Sequence, residues 1–207
     1  MARPRAAGYD DKRQAIIDRS AALFAQHGYD RASMAEVAKA CGMSKALLYH
    51  YYDSKAALLF DILRDHLQEL LDAVGAVDQG LPPRARLRAL VGALLDAYRD
   101  ADNEHKIQIN ELGKLAPAKQ KQLKDMERAL VAVFAAGIAA VNPAIGRDKA
   151  LLKPVTMSLF GMINWHYMWF RDGKALTRGD YAELVTTLLV EGAAALTPPA
   201  PPKRAAG

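Results

Sequence analysis

Hydroxyl groups, ammonium groups and an imidazole lie close together in residues 33–55, whose sequence is SMAEVAKACGMSKALLYHYYDSK. Lysine ammonium groups neutralise phosphates, and hydroxyl groups donate hydrogen bonds to phosphate oxygens. Side chains near the N-terminus of a helix can also reach base edges when that helix lies in the major groove. The residue types in this stretch therefore suit a nucleic-acid contact, provided that helices present them on one surface.

The same stretch contains the signals that would form those helices. Ser33 is a good N-cap, and Glu36 three residues later completes a capping box. Gly42 can end the first helix without strain because glycine adopts positive φ angles freely, and Ser44 can cap a second helix. Two short helices joined by a glycine-containing turn are typical of a helix-turn-helix, whose second helix enters the major groove. The side chains expected to be buried by the second helix are Leu47, Leu48, Tyr51 and Tyr52.

Residues 43–55, MSKALLYHYYDSK, resemble the recognition segment of TetR-like transcriptional regulators, and the likeness extends back to about Ile16. The resemblance implies an all-α fold with a three-helix DNA-binding head and a larger helical body for ligand binding and dimerisation. Two residues depart from the family pattern: Leu47, where many relatives carry a small polar residue, and Tyr52, where phenylalanine is usual. Among the contacts that the resemblance implies, the lysines suit phosphates and the histidine suits a base edge. These implied DNA contacts are Ser33, Ser44, Lys45, Ala46, Tyr49, His50 and Lys55.

The composition is that of a folded protein. The 207 residues are 51% hydrophobic and 25% charged, which predicts a sizeable core and argues against general disorder. The formal net charge of +5 is compatible with a nucleic-acid partner without demonstrating one. The sequence begins without the apolar segment of a signal peptide, and no apolar run is long enough to span a bilayer. We therefore expect a cytoplasmic protein with no membrane partner.

Residues that could support catalysis or metal binding are scattered. The single cysteine excludes an internal disulfide framework, and no pair of the five histidines has the spacing of a zinc motif. Glycine-rich phosphate loops and the GxSxG nucleophile motif are absent from the sequence. His66, with Asp61, Asp65 and Glu69 nearby, is interpreted as part of a solvated helix face. We expect neither an enzyme nor a bound metal or cofactor.

Breaks in the hydrophobic pattern divide the chain into segments. We predict a DNA-binding domain at residues 1–56, a ligand-binding and dimerisation domain at 57–197, and a disordered proline-rich tail at 198–207. An N-terminal arm with Arg3 and Arg5 either touches DNA or is a frayed terminus. Besides the two short helices, helices are predicted at residues 11–26, 55–77, 84–99, 103–114, 116–141, 148–171 and 177–196.

The predicted helix at residues 148–171 is apolar on nearly every side between Val155 and Phe170. Such a helix must be covered all round, so one face is expected to line the body and another to meet a partner subunit. Asn164 and His166 are polar residues within it, and each needs either a structural hydrogen bond or a ligand. Candidates for ligand contact are Asn110, Glu111, Met126, Phe134, Asn164, Trp165, Met168 and Trp169, and those for a homodimer interface are Tyr181, Leu184, Leu188 and Gly192.

The predicted function is binding to a palindromic double-stranded operator, with repression relieved by a small effector. The pattern from Phe160 to Phe170 resembles regulators that sense acyl-CoA thioesters, whose phosphates would need cationic side chains. One alternative is a multidrug-type repressor in which Glu111 and aromatic side chains hold a lipophilic cation. Another is a helical dimerisation or scaffold protein without DNA binding. Candidate cations for the CoA phosphates are Lys121, Lys124, Arg128, Arg147 and Lys153.

Overall fold

The computed structural model describes residues 8–148, 150–171, 173–174 and 176–196 of the chain. The arm with Arg3 and Arg5 and the tail at 198–207, which was predicted to be disordered, lie outside the described residues. Every regular element among the described residues is a helix, so the prediction of an all-α fold is confirmed. None of these helices combines the length and the apolar character that crossing a bilayer requires.

The described residues form ten α-helices and two 3-10 turns. Most predicted helices are present with ends within two residues of the expected ones, because their caps and breaking residues are local signals. The helices are α1 (Tyr9–His27), α2 (Met34–Ala40), α3 (Lys45–Tyr51), α4 (Lys55–Gly75), α5 (Pro83–Ala97), α6 (Asp102–Glu111), α7 (Pro117–Val141), α8 (Pro143–Arg147), α9 (Leu152–Asn164) and α10 (Arg178–Ala194), and the 3-10 turns are Leu112–Lys114 and His166–Met168.

Contacts divide the chain into two compact units, and the first contains the described residues up to Glu69 together with Tyr98–Glu127. Within this unit α1 packs against α2 and α6, and α2 packs against α3. Because α6 belongs to this unit, the grouping does not follow the predicted boundary after residue 56, and the domain boundaries stay predictions. Core side chains of this unit include Ile16, Phe24, Val37, Leu48, Leu58 and Ile107.

The second unit contains Leu70–Ala97 and the described residues from Arg128 onward. Within it α5 packs against α10, and α9 contacts α8 and α10. Two helices, α4 and α7, contribute residues to both units. Side chains with no exposed surface in this second unit include Leu87, Leu90, Leu94, Phe134, Leu159 and Val185.

The prediction of one helix at residues 148–171 is wrong. A short helix, α8, comes first, and the Asn142 side chain caps it by accepting a hydrogen bond from the Ile145 N–H at 3.2 Å. Asp148 lies outside a helix, and its Oδ1 accepts hydrogen bonds from two following backbone N–H groups at 2.8 and 3.2 Å. The main helix of this segment, α9, then ends at Asn164.

Side chains satisfy two of the last carbonyl groups of α9. The Tyr181 hydroxyl donates a hydrogen bond to the Met162 carbonyl at 2.9 Å. The His166 ring donates from Nδ1 to the Ile163 carbonyl at 2.8 Å, because a carbonyl oxygen can only accept. In a continuing α-helix both carbonyls would accept from the backbone N–H groups four residues later. The apolar run from 155 to 170 is divided between α9 and a 3-10 turn.

Candidate functional site

The N-terminus of α2 carries the predicted capping box. The Ser33 side chain accepts a hydrogen bond from the Glu36 N–H at 3.2 Å, and the Glu36 carboxylate accepts one from the Ser33 N–H at 2.7 Å. These bonds from Ser33 lower the pKa of the Glu36 carboxyl group. Gly42, after α2, has a φ of 66°, a left-handed conformation that other residues rarely adopt. The geometry between the two short helices is thus set by local interactions.

The second short helix, α3, exposes most of its side chains. Ser44 caps it, since its hydroxyl accepts a hydrogen bond from the Leu47 N–H at 3.1 Å. Leu48 has no exposed surface, Tyr51 is half-buried, and Tyr52 directly after the helix is buried. The prediction that Leu47 is buried is wrong, because 42% of its surface is exposed. Consecutive helical residues differ in direction by about 100°, so Leu47 points away from the core that Leu48 enters.

Six of the seven predicted DNA contacts are exposed, whereas the seventh begins α4 and is half-buried. Lys45 and Tyr49 are neighbours, with 5.8 Å between the Lys45 Nζ and the centre of the Tyr49 ring. The ring of His50 meets Tyr51 edge-on at 5.9 Å, and Tyr51 stacks on Tyr9 of α1 at 4.9 Å. The stacking of Tyr51 on Tyr9 supports α3 from its side, whereas the outer face of the helix stays exposed. The exposed six are Ser33, Ser44, Lys45, Ala46, Tyr49 and His50.

The seventh predicted contact, Lys55, is engaged within the protein. Its Nζ donates hydrogen bonds to the backbone carbonyls of Tyr29 and Ala32, both at 2.8 Å, and to that of Asp30 at 3.3 Å. The same ammonium group lies 4.3 Å from the centre of the Tyr29 ring. Lys55 therefore binds three carbonyls of the turn that joins α1 to α2. Its phosphate contact stays a prediction, and it has to compete with these bonds.

The prediction that Asp61 and Asp65 belong to a solvated face is wrong. Arg13 of α1 places its Nη2 at 2.6 Å from Asp61 and 3.0 Å from Asp65. Arg64 lies between the same carboxylates, at 2.8 Å from Asp61 and 2.7 Å from Asp65. Both aspartates are about four-fifths buried, and they connect α1 to α4. The network fixes the helix that precedes the helix-turn-helix.

His66, predicted to be solvated, is instead 2% exposed. Its ring centre lies 6.4 Å from those of Tyr98 and His105, and the latter two rings are 4.7 Å apart. Burial and the neighbouring His105 lower the pKa of His66 to about 4, so its imidazole is neutral at neutral pH. The available sequence signal was spacing, since His66 follows Leu63 by three residues and precedes Leu70 by four on the apolar stripe of α4.

Three predicted ligand contacts belong to the first unit. Asn110 is exposed, and its side-chain amide donates to the Lys106 carbonyl at 2.8 Å. Glu111 accepts a long hydrogen bond, 3.4 Å, from the Tyr29 N–H. Both residues line an open groove of about 270 Å³ beside α1 and α6. Met126 is half-buried on α7 and does not line this groove.

The other five predicted ligand contacts belong to the second unit. Phe134 is fully buried, and its ring meets a phenylalanine ring of α9 edge-on at 5.1 Å. Asn164 is half-buried at the end of α9. Trp165, Met168 and Trp169 are 52, 59 and 55% exposed. The described structure does not enclose these three side chains, so the cavity expected around them stays a prediction.

His166 makes structural hydrogen bonds within the protein, which is one of the two alternatives predicted for it, the other being a bound ligand. The residue is 3% exposed, and its Nδ1 donates a hydrogen bond to the Ile163 carbonyl. Its Nε2 accepts a hydrogen bond from the Arg178 guanidinium at 3.1 Å, and that guanidinium also donates to the Leu95 carbonyl at 3.0 Å. Because both ring nitrogens have protein partners, this histidine is part of the structural framework of the second unit.

The predicted interface residues on α10 differ in exposure. Tyr181 is 6% exposed and its hydroxyl is bonded within its own unit, so its role at a subunit interface stays a prediction. Leu184 and Leu188 are 40% and 59% exposed, and Gly192 is also exposed. Leu189 is buried against the same unit. The helix thus has one buried apolar face and a second apolar face at the surface.

A capped α2, a left-handed glycine and a capped α3 with an open outer face define a helix-turn-helix protein. Residues 16–62 match the family described as "Bacterial regulatory proteins, tetR family". Residues 80–193 match the domain described as "Tetracyclin repressor-like, C-terminal domain". The chain belongs to the TetR family of bacterial regulatory proteins. Members of this family are transcriptional regulators rather than enzymes.

Solved structures and curated proteins show the same likeness. A TetR-family transcriptional regulator from Bordetella parapertussis 12822 is 33% identical, with 92% of this chain and 100% of that chain covered and a TM-score of 0.83. AibR in complex with isovaleryl coenzyme A and operator DNA is 26% identical, with 86% and 98% covered and a TM-score of 0.71. The transcriptional repressor KstR2 of Rhodococcus jostii (strain RHA1) is 34% identical over 99 residues, which is 47% of each chain. The chain thus matches less than half the length of this curated relative.

Proposed function

We propose that this protein is a transcriptional repressor that binds a palindromic operator as a homodimer and is released by an acyl-CoA thioester. The observation that carries the DNA-binding part is the open face of α3. That helix buries Leu48 and leaves hydrogen-bonding and cationic side chains free to meet a duplex. The exposed polar groups on this face belong to Lys45, Tyr49 and His50, with Ser44 at the N-cap.

The exposed groups divide into phosphate contacts and base contacts. Lys45 supplies a positive charge, and the hydroxyls of Ser33 and Tyr49 supply neutral donors, all of which suit phosphate oxygens. His50 and the first turn of α3 lie where base edges would be in the major groove. A dimer places two such helices on half-sites separated by one helical turn or a multiple of it, which requires a palindromic operator.

Replacing Lys45 with alanine tests the phosphate contact. We expect weaker binding to every DNA sequence, because the lost contact does not depend on base identity. The plot of log Kobs against log salt should become shallower by about one unit for each bound protomer, since one counterion fewer is released. Fluorescence anisotropy with a selected operator and with random DNA, over a range of salt concentrations, measures both quantities.

Lys121→Ala is the matched control for this experiment. Lys121 is an exposed lysine of α7, and its ammonium group pairs with Asp125 at 2.7 Å. Lys121→Ala should leave the salt slope unchanged, because the variant removes one positive charge from a helix outside the helix-turn-helix. If Lys45→Ala and Lys121→Ala have equal slopes, Lys45 does not contact the DNA backbone.

Lys55→Met separates a positioning role from a phosphate contact. Methionine keeps much of the length of the side chain but cannot bond the carbonyls of Tyr29, Asp30 and Ala32. We expect a loss of about 1 kcal/mol of stability, since water can replace part of these partly exposed bonds. DNA affinity should fall while the salt slope stays that of the unmodified protein. A slope that falls by about one unit for each protomer would instead favour the phosphate contact.

The ligand class in the proposal is supported by a relative and by charge, and the lowered operator affinity is a prediction that the titration below tests. AibR, 26% identical to this chain, was crystallised with isovaleryl coenzyme A and operator DNA. A CoA thioester carries phosphates that bind best to guanidinium or ammonium groups. Five exposed cations are candidates for these phosphates, although Lys121 already pairs with Asp125 and Lys124 donates a hydrogen bond to Gln120. They are Lys121, Lys124, Arg128, Arg147 and Lys153.

Calorimetric titration tests this effector class. The ligands are isovaleryl-CoA, longer acyl-CoAs, the corresponding free acids, unacylated CoA and lipophilic cations. We expect binding of at least one thioester and an operator affinity lowered by about 10-fold to 100-fold, the usual range of allosteric coupling. Unacylated CoA is the matched control, because it keeps the phosphates and lacks the acyl chain. Binding of cations alone would support a multidrug-type sensor, in which Glu111 supplies the negative charge.

A scaffold protein without DNA binding is the remaining alternative. Selection of bound fragments from a random DNA library distinguishes it from a repressor. Enrichment of one palindromic sequence is expected for the repressor, whereas a scaffold would enrich none. The match of residues 16–62 to a family of bacterial regulatory proteins favours the repressor.

A further inference from the structure

We infer that Leu47 contacts the C5-methyl group of a thymine in each operator half-site and thereby determines part of the sequence specificity. The inference rests on the DNA binding proposed above and adds a residue and a base to it. Leu47 is a large apolar residue on the outside of α3, where 42% of its surface is exposed. The adjacent Leu48, which has no exposed surface, already makes the core contact of this helix.

The position of Leu47 on α3 places it beside the base-contacting face. Successive residues turn by about 100°, so Ala46 and His50 share the midline opposite Leu48. Lys45 and Tyr49 lie on one side of that midline, and Leu47 lies on the other. The first turn of α3 is held by the bond from the Leu47 N–H to the Ser44 hydroxyl, which fixes the backbone that carries this side chain.

The chemistry of the side chain selects its partner. Leucine has no donor or acceptor, so it cannot bond a phosphate or the polar edge of a base, and covering such a group would leave it without a partner. In the major groove the thymine methyl group is the apolar feature of the four base pairs, and it is contacted by apolar side chains. Ala46, exposed next to Leu47, extends the same apolar surface towards the midline. Residues 46 and 47 together therefore favour thymine over cytosine at the contacted position.

Deoxyuridine substitution tests the contact, because it removes the methyl group of thymine and leaves every hydrogen-bonding group in place. The operator is first selected from random DNA, and each thymine of the half-site is then replaced in turn, symmetrically in both halves. For the unmodified protein, deoxyuridine at one position should weaken binding about fourfold for each half-site, or about fifteenfold when both half-sites carry it. This is the loss expected for one buried methyl group in each half-site. At that position Leu47→Ala should lose less than twofold, because the side chain that met the methyl group is gone.

Leu47→Gln is the second variant, since it keeps the length of the side chain and can bond adenine rather than a methyl group. It should also be insensitive to deoxyuridine, and circular dichroism should show both variants folded. Equal deoxyuridine costs in the unmodified protein and in Leu47→Ala at every position would overturn the inference, while leaving the DNA-binding proposal intact. Failure of the selection to enrich any sequence would instead contradict the DNA-binding proposal, and with it the inference.

Discussion

Leu188→Glu is expected to convert the proposed homodimer into a monomer. Leu188 is 59% exposed on the outer apolar face of α10. In a two-fold interface each substitution occurs twice, so two buried carboxylates would face an apolar surface. Each buried carboxylate should cost about 2 kcal/mol of binding free energy, so the dissociation constant of the dimer should rise by roughly a thousandfold. Sedimentation over a range of protein concentrations measures the change, and binding to a palindromic operator should fall with it.

Ile109→Glu is the control for the charge itself. Ile109 is 50% exposed on α6, so it is a similarly exposed large aliphatic residue outside α9 and α10. The variant should sediment as the unmodified protein does. If Leu188→Glu remains a dimer of normal stability, the interface does not include this face of α10. If Ile109→Glu also dissociates, the effect of Leu188→Glu is not specific to α10.

Leu48→Ala is expected to destabilise the helix-turn-helix by about 3 kcal/mol. Leu48 is fully buried, and truncating it removes apolar contact and leaves a cavity beneath α3. Hydrogen exchange measured residue by residue should show amides of α2 and α3 exchanging about a hundredfold faster, because that region opens more often. Amides of α10, which belongs to the second unit, should keep their rates.

Leu47→Ala is the control for Leu48→Ala, because it removes the same atoms from the neighbouring position. Its stability should change by less than about 0.5 kcal/mol, since an exposed helical leucine contributes little packing and alanine favours the helix. The pair therefore separates folding from operator binding on one turn of α3. Similar exchange rates in the two variants would contradict the assigned burial of both residues.

Features that depend on near neighbours in the chain are the ones that residue order predicts. The capping box of Ser33 and Glu36, the cap at Ser44 and the positive φ of Gly42 each involve a few consecutive residues. Their energetics do not depend on the rest of the fold, so they were predictable from residue type and spacing. The same is true of most helix ends and of the exposed position of Lys45 and His50.

Features that depend on residues distant in the chain become visible in the folded protein. The sequence gives no sign that Lys55 has a structural role. In the fold the turn after α1 places three carbonyls around its Nζ, and Lys55 donates hydrogen bonds to them. His66 is predicted to be solvated because two aspartates are near it in the sequence. In the fold its ring lies beside Tyr98 and His105, and Arg13 binds the two aspartates.

The end of α9 shows why contacts between distant residues escape a local pattern. The run from 155 to 170 is mostly apolar and the first local stop signal after it is Asp172-Gly173, so the pattern predicted that the helix continues to residue 171. The helix ends at Asn164, and a tyrosine of α10 and the ring of His166 bind the carbonyls of Met162 and Ile163 there. Backbone carbonyls accept from whichever donor the fold brings within reach, and a donor from a distant helix is invisible to a local pattern.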